Sequence, residues 1–252
     1  MPIILFALVG LLAGILVNRA ADTFPSRQPE LALRAPQCQY CGTPRPWIDQ
    51  IALVSFILLR GRCLKCQAPI SMRAPLVELT SAAAFAFLGM RFGTSIFLVL
   101  ALIYTTVLLL VLVTDLEHRL ILNIVILPAT LLAILASPLS PLGTVRSLLG
   151  GALAYLIVYL IYVFARVFAQ LRHHAIKVPF GFGDVKLAGF VGLLTGFPDV
   201  FTAILYAILL GGLGAALFLI YQAVVKHRLA LGAAIPYGPF FCIAGWLLMV
   251  WK

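Results

Sequence analysis

Apolar residues lie in long runs along the chain, and polar residues are confined to the segments between those runs. About 20 apolar residues are enough to cross a membrane as an α-helix. Clusters of Pro and Gly, which end helices, separate several of the runs. The pattern predicts an all-α polytopic membrane protein with about eight transmembrane helices: Ile3–Ala21, Leu76–Met90, Ser95–Thr114, Leu120–Ala136, Leu148–Phe168, Val185–Phe197, Val200–Val225 and Leu231–Trp251.

Composition supports this prediction. Hydrophobic residues make up 63% of the chain and charged residues 10%, which is more apolar surface than one soluble core can bury. The net charge of +10 could suggest a nucleic-acid partner. The basic residues, however, lie between apolar runs rather than in a stripe with interleaved aromatics, so the lipid bilayer is the expected partner and nucleic acid is not.

One hydrophilic region is large enough to form a separate lobe. It contains Ile51–Leu59, an apolar stretch too short to cross a membrane, which is typical of a buried or interfacial helix. The chain is therefore divided into a first transmembrane helix at residues 1–18, a lobe at 19–75 and a seven-helix transmembrane domain at 76–252.

The distribution of Lys and Arg predicts the orientation. If the first helix runs from outside to inside, fifteen of the eighteen basic residues lie on the inner side, and only Arg91, Arg146 and Lys252 lie outside. Loops on the cytoplasmic side of membrane proteins carry such an excess. Both termini are therefore expected outside, and the lobe is expected in the cytoplasm.

The lobe carries two Cys-x-x-Cys pairs. Four thiolates are the number that closes a tetrahedral structural zinc site. A pair of disulfides is the alternative, but a reducing cytoplasm disfavours it. The sequence predicts a structural zinc ion held by Cys38, Cys41, Cys63 and Cys66, whereas Cys242, alone in the last run, is interpreted as a small buried hydrophobe.

Two aspartates lie at the ends of apolar runs. Asp115 ends one run, and Asp184 follows a Gly-x-Gly turn at the start of another. Ionisable residues inside membranes are costly and usually functional, although a single Asp can also be a helix N-cap. The predicted topology places both at one depth on the cytoplasmic side, which favours an acid–base pair.

Four further residues are candidate supports for this pair. Gly181 and Gly183 form the turn before Asp184. Lys186 could tune the charge of Asp184 or extend to the membrane interface. Glu78 could be another acid in the site or could complement the dipole of its own helix.

Together these motifs resemble the type IV prepilin leader peptidases. The resemblance rests on Gly181-x-Gly183-Asp184, on Asp115 followed by Arg119 and Asn123, and on the paired cysteines. It extends to blocks at Pro75-Leu76-Val77-Glu78-Leu79 and Pro236-Tyr237-Gly238-Pro239-Phe240 and so covers nearly the whole chain. The chain departs from the family pattern at Ile121-Leu122-Asn123, which lacks the usual proline, but both aspartates are retained.

The resemblance implies an aspartic endopeptidase of the bacterial inner membrane with Asp115 and Asp184 as catalytic residues. Its substrates would be prepilins or pseudopilins, cut at the cytoplasmic face after the glycine that joins the basic leader to the hydrophobic stem. In many relatives with the cysteine lobe, the same protein methylates the new N-terminus with S-adenosylmethionine as methyl donor. No residue of the chain is assigned to that donor.

Other interpretations use the same residues differently. A proton-coupled transporter could use the two aspartates as relay acids, although such acids are expected near the bilayer midplane. An assembly factor could use the zinc lobe as a docking module. An intramembrane aspartyl protease of the presenilin kind shares the Gly-x-Gly-Asp motif, but the cysteine lobe favours the prepilin peptidases.

Overall fold

The computed structural model describes residues 2–25, 40–43, 51–58, 61–63, 65–69, 71–171, 181–225 and 236–251. In these ranges the regular structure is helical, apart from one β-bridge between Arg62 and Pro69. The all-α prediction is confirmed for this part of the chain. Its α-helices are α1 (Pro2–Thr23), α2 (Ala52–Leu58), α3 (Arg73–Phe92), α4 (Ile96–His118), α5 (Asn123–Leu135), α6 (Thr144–Leu171), α7 (Phe182–Thr195), α8 (Val200–Val225) and α9 (Gly238–Val250).

Five of the described helices are long and apolar enough to cross a membrane, namely α1, α3, α4, α6 and α8. Helices α5, α7 and α9 have 13, 14 and 13 residues, fewer than the roughly 20 that a complete crossing needs. The chain therefore has the helices of a multi-pass membrane protein. That α5, α7 and α9 also cross the bilayer stays a prediction.

The described boundaries differ from the predicted ones at several helix starts. Helix α5 begins at Asn123 rather than Leu120, because α4 ends at His118 and Leu122 has extended backbone angles. Helix α3 begins at Arg73, so Glu78 lies in its second turn and not at its start. The predicted start of the last helix at Leu231 lies outside the described residues.

The chain divides into two compact units, Met1–Leu110 and Val111–Lys252. In the first unit, α1 and α3 pack against each other most extensively. Glycines allow this approach, since a Cβ on Gly14 would lie 2.7 Å from the Cα of Glu78. The side chain of Asn18 donates to the carbonyl of Ala74 over 3.0 Å and links the same two helices.

Helix α7 is the core of the second unit. From Leu187 to Thr195 every residue is buried, and α5, α6, α8 and α9 all contact the helix. The closest contact is with α6, where a Cβ on Gly150 would overlap the carbonyl oxygen of Gly192. Small residues permit such close packing in membranes. The packing of α7 against these four helices thus fixes the position of its start, which carries Asp184.

Candidate active site

Asp115 lies one turn before the end of α4. Its side chain is buried, with 5% of its surface exposed. The helix closes after His118 because Arg119 adopts a left-handed conformation, with φ of 54°, and its N–H donates to the carbonyl of Asp115 over 2.9 Å. This is a common way to end a helix. It places a carboxylate at the last fully helical turn.

Asp184 lies in the first turn of α7. Its Oδ2 accepts a hydrogen bond from the N–H of Gly181 over 2.9 Å, and its own N–H donates to the carbonyl of Gly181 over 3.1 Å. The N-cap residue is Gly181, and Asp184 is the third residue of the helix, so its carboxylate reaches back to the N–H of the N-cap residue instead of being the N-cap itself. A negative group at a helix N-terminus is also favoured by the helix dipole.

The second unit brings the two aspartates together. The N–H of Gly238, the first residue of α9, donates to Oδ2 of Asp115 over 3.0 Å in a buried hydrogen bond. Helix α9 also packs on α7, and the carboxylates of Asp115 and Asp184 are close enough for their charges to repel each other. Two carboxyl groups that share a site are rarely both ionised. The one that keeps its proton can serve as a general acid.

Lys186 connects the start of α7 to the start of α5. Its Nζ donates to Oδ1 of Asn123 over 2.7 Å and lies 5.1 Å from the centre of the Phe182 ring. A lysine beside a neighbouring helix and an aromatic face is held in place by both contacts. Lys186 thus fixes the spacing between two helix starts next to Asp184.

The two glycines of the motif have different surroundings. A Cβ on Gly183 would lie 2.9 Å from the Cβ of Ile121, so a side chain there would push α7 from the segment between α4 and α5. A Cβ on Gly181 would meet nothing closer than Oδ2 of Asp184, at 3.6 Å. The close approach of the α7 backbone to Ile121 therefore requires glycine at position 183, whereas position 181 has room for a side chain.

Glu78 belongs to the first unit and is 1% exposed. Its Oε1 accepts from the N–H of Ala52 over 2.9 Å, and its Oε2 accepts from the N–H of Leu53 over 2.8 Å. The first N–H groups of a helix have no partner within that helix. Glu78 therefore supplies acceptors from α3 to the start of α2.

Three of the four predicted zinc ligands converge. The sulfur atoms of Cys41, Cys63 and Cys66 all lie within 4.8 Å of one another. The N–H of Cys63 donates to the carbonyl of Ala68 over 2.9 Å, and the N–H of Gln67 donates to the carbonyl of Cys63 over 3.0 Å. Cys38 lies outside the described residues. A set of thiolates at this spacing fits a zinc ion, whose bonds to sulfur are about 2.3 Å long.

Comparison with known proteins identifies the family of the chain. Residues 8–92 match the model of the bacterial Peptidase A24 N-terminal domain, and residues 102–216 match that of the type IV leader peptidase family. A protein of Bacillus subtilis named prepilin leader peptidase/N-methyltransferase is 33% identical over 234 residues, covering 91% of this chain and 86% of that protein. The chain belongs to the type IV leader peptidase family.

Other leader peptidases are similar over most of the chain. Proteins with the same name from Pseudomonas aeruginosa and Aeromonas hydrophila are 30% and 31% identical. The matches cover 88% and 89% of this chain, and 73% and 74% of those proteins. No solved structure was found to match the chain. The chain is thus an enzyme of a peptidase family, as its motifs predicted.

Two residues of this leader peptidase have neighbours that the sequence did not reveal. Gly238 was matched only as part of a family block, although its N–H contacts Asp115. Cys242, one turn later, is 2% exposed and lies near both Asp115 and Asp184. The available signal was Pro239 after a glycine at the start of an apolar run, which marks a helix N-terminus. It does not identify the partner of that helix.

Proposed function

We propose that the protein is a membrane aspartic endopeptidase that removes the leader of type IV prepilins or pseudopilins at the cytoplasmic membrane face and then methylates the new N-terminus. The observation that carries the proposal is geometric: Asp115 from α4 and Asp184 at the start of α7 belong to one compact unit, in which α9 contacts Asp115 and packs on α7. The names of the relatives, prepilin leader peptidase/N-methyltransferase, support both activities.

The pair acts by acid–base catalysis in this proposal. One aspartate is ionised and takes a proton from water as the water oxygen bonds to the carbonyl carbon of the scissile peptide. The other aspartate is protonated and gives its proton to the amide nitrogen as the carbon–nitrogen bond breaks. Two carboxylates in one site favour this sharing of a proton, because two negative charges side by side repel each other. The reaction requires no Ser or Cys nucleophile.

Gly181, Gly183 and Lys186 support the pair. Gly183 permits the approach of α7 to Ile121, Gly181 donates to Asp184, and Lys186 holds the starts of α5 and α7 together through Asn123. Glu78 acts in the first unit, where it holds the start of α2. Each of these contacts positions an element and none of them requires direct contact with substrate.

The orientation in the proposal follows the distribution of basic residues. The fifteen-to-three bias of Lys and Arg favours a cytoplasmic position for the ends of α1, α4 and α6 and the starts of α3 and α7. Asp115 and Asp184 then lie on the cytoplasmic side, with both termini outside. A prepilin with a basic leader in the cytoplasm and a hydrophobic stem in the bilayer presents its junction at this depth.

Methylation and zinc complete the proposal. S-adenosylmethionine would supply the methyl group: the unprotonated N-terminal amine of the cleaved pilin would take it from the sulfonium sulfur, S-adenosylhomocysteine would leave, and the methylated amine would release one proton to solvent. Cys41, Cys63 and Cys66 would hold the zinc ion, with Cys38 as the expected fourth ligand. A site with four thiolates has no open position, so the metal stabilises the lobe and takes no part in peptide cleavage.

The test is incubation of the purified protein with a synthetic prepilin, with and without S-adenosylmethionine, followed by mass spectrometry. The wild type should release the leader and add one methyl group only when the donor is present. Asp115→Asn and Asp184→Asn should each lower the cleavage rate by about a hundredfold to ten-thousandfold, because each removes one partner of proton transfer.

Asp199→Asn is the matched control, since Asp199 lies just beyond the opposite end of α7 from Asp184. It should retain the wild-type rate. Normal cleavage by either variant of the aspartate pair would refute the assignment, and an uncut peptide with the wild type would favour the transporter. Cleavage without methyl transfer would retain the peptidase and reject the transferase.

A further inference from the structure

The contact between α9 and Asp115 is unusually close. The N–H of Gly238 donates to Oδ2 of Asp115 over 3.0 Å. A Cβ added to Gly238 would lie 2.5 Å from that oxygen and 2.9 Å from Cγ of the same carboxyl group. Real Cβ atoms do not approach other atoms so closely, so any side chain at this position displaces either the carboxylate or the start of α9.

The position of Gly238 in its helix explains the hydrogen bond. It is the first residue of α9, and the first N–H groups of a helix have no partners within it and carry partial positive charge. Asp115, which comes from another helix, supplies the acceptor. Asp184, by contrast, accepts from the N–H of Gly181 at the start of its own helix. The orientation of Asp115 therefore depends on α9.

We propose that Gly238 is a positioning residue for Asp115, an inference that rests on the proposed peptidase function. Its amide fixes Oδ2, and its missing side chain leaves the space that the carboxyl group occupies. Oδ1 is then the oxygen that exchanges a proton with water or with the substrate. A displaced carboxyl group retains its chemistry but loses its alignment with the scissile bond, and misplacement of about 1 Å can cost a hundredfold in rate.

Two other glycine-to-alanine variants provide matched controls. A Cβ on Gly245, two turns later in α9, would lie 2.8 Å from Cγ1 of Val191, so Gly245→Ala disturbs the packing of α9 on α7 without contacting Asp115. A Cβ on Gly212 in α8 would meet nothing within 4 Å. Gly212→Ala therefore measures the effect of the substitution itself.

The experiment measures kcat and KM for a synthetic prepilin together with the melting temperature in detergent. Gly238→Ala should lower kcat by about a hundredfold and leave KM within about threefold, because alignment and not binding is lost. Gly245→Ala should lower the melting temperature but keep kcat within about threefold, and Gly212→Ala should change neither. Equal loss of kcat in Gly238→Ala and Gly245→Ala would show a general packing effect and overturn the proposal.

A double-mutant cycle tests the same contact without cleavage. If Gly238→Ala is destabilising because its Cβ meets the Asp115 carboxyl group, the loss in melting temperature should largely disappear in an Asp115→Ala background. The loss from Gly245→Ala should persist there. Failure of Asp115→Ala to rescue the folding or melting temperature of Gly238→Ala would refute the contact. An inactive wild type would instead refute the peptidase function, so the two failures can be distinguished.

Discussion

The contact between Glu78 and α2 predicts a large local effect of a small substitution. Glu78→Gln keeps the size and shape of the side chain but replaces one carboxylate oxygen with an NH2 group. In the folded protein both oxygens accept backbone hydrogen bonds, from Ala52 over 2.9 Å and from Leu53 over 2.8 Å. The oxygen of the glutamine can therefore accept a hydrogen bond from one of these N–H groups. Its NH2 group, which is a donor, then faces the other N–H group and cannot accept from it.

The magnitude follows from these two bonds. A hydrogen bond to a charged group contributes about 1.5–3 kcal/mol, and a neutral one about 0.5–1.5 kcal/mol. Losing one charged bond and weakening the other should cost about 2–4 kcal/mol, since the site is buried. Every 1.4 kcal/mol is a factor of ten, so the start of α2 should open about 30 to 700 times more often.

Hydrogen exchange at Ala52 and Leu53, measured by mass spectrometry on the detergent-purified protein, reports this opening directly. Asp22→Asn is the matched control in the same unit. Asp22 pairs with Arg73 over 2.7 Å, but its side chain is 59% exposed, and exposed ion pairs contribute about 0.2–1 kcal/mol. The control should accelerate exchange by no more than about fivefold.

The reasoning also predicts where the effect ends. Exchange should rise in α2 and remain unchanged in α7, which lies in the other unit. Exchange at Ala52 and Leu53 no faster in Glu78→Gln than in Asp22→Asn would show that Glu78 does not hold α2, and uniform acceleration along the chain would indicate global destabilisation instead.

Two further predictions concern the metal and the orientation. The purified protein should carry about one zinc ion per chain by elemental analysis. Cys63→Ser should release the zinc ion and Cys242→Ser should not, because Cys63 belongs to the thiolate cluster and Cys242 does not. A folded, metal-free wild type would contradict the zinc site. In a cysteine-free background, a cysteine at Gly143 should react with an impermeant reagent in intact cells, whereas one at Gln170, near the other end of α6, should react only after permeabilisation. The reverse labelling would place the aspartates outside.

Sequence patterns predicted the elements of this protein better than their partners. Long apolar runs predicted the helices, and the cost of a carboxylate in a membrane indicated Asp115 and Asp184. The apolar residues Leu120–Leu122 were predicted to be helical, although they form the connection between α4 and α5. Hydrophobicity cannot distinguish an apolar connection from a helix, because both avoid water.

Partners distant in sequence were the part that no local pattern revealed. Glu78 and its partner Ala52 are 26 positions apart in the sequence, and Gly238 and its partner Asp115 are 123 positions apart. Each contact depends on helix packing, which a single sequence encodes only through the small residues that permit it. The sequence left Glu78 as either an acid in the site or a complement to the dipole of its own helix, whereas the structure gives it hydrogen bonds to the start of α2.

The short helices have a consequence for the supply of water. At 1.5 Å per residue, α5, α7 and α9 are about 20 Å long, whereas the hydrocarbon core is about 30 Å thick. Their starts meet beside the aspartates, where Lys186 contacts Asn123 and Gly238 contacts Asp115. If these helices cross the bilayer as predicted and their far ends lie at the opposite interface, their starts lie about 10 Å below the near surface. A hydrated recess of this depth would carry water to the peptide bond and leave the charges of a leader in solvent, so that only the apolar stem of the substrate enters lipid.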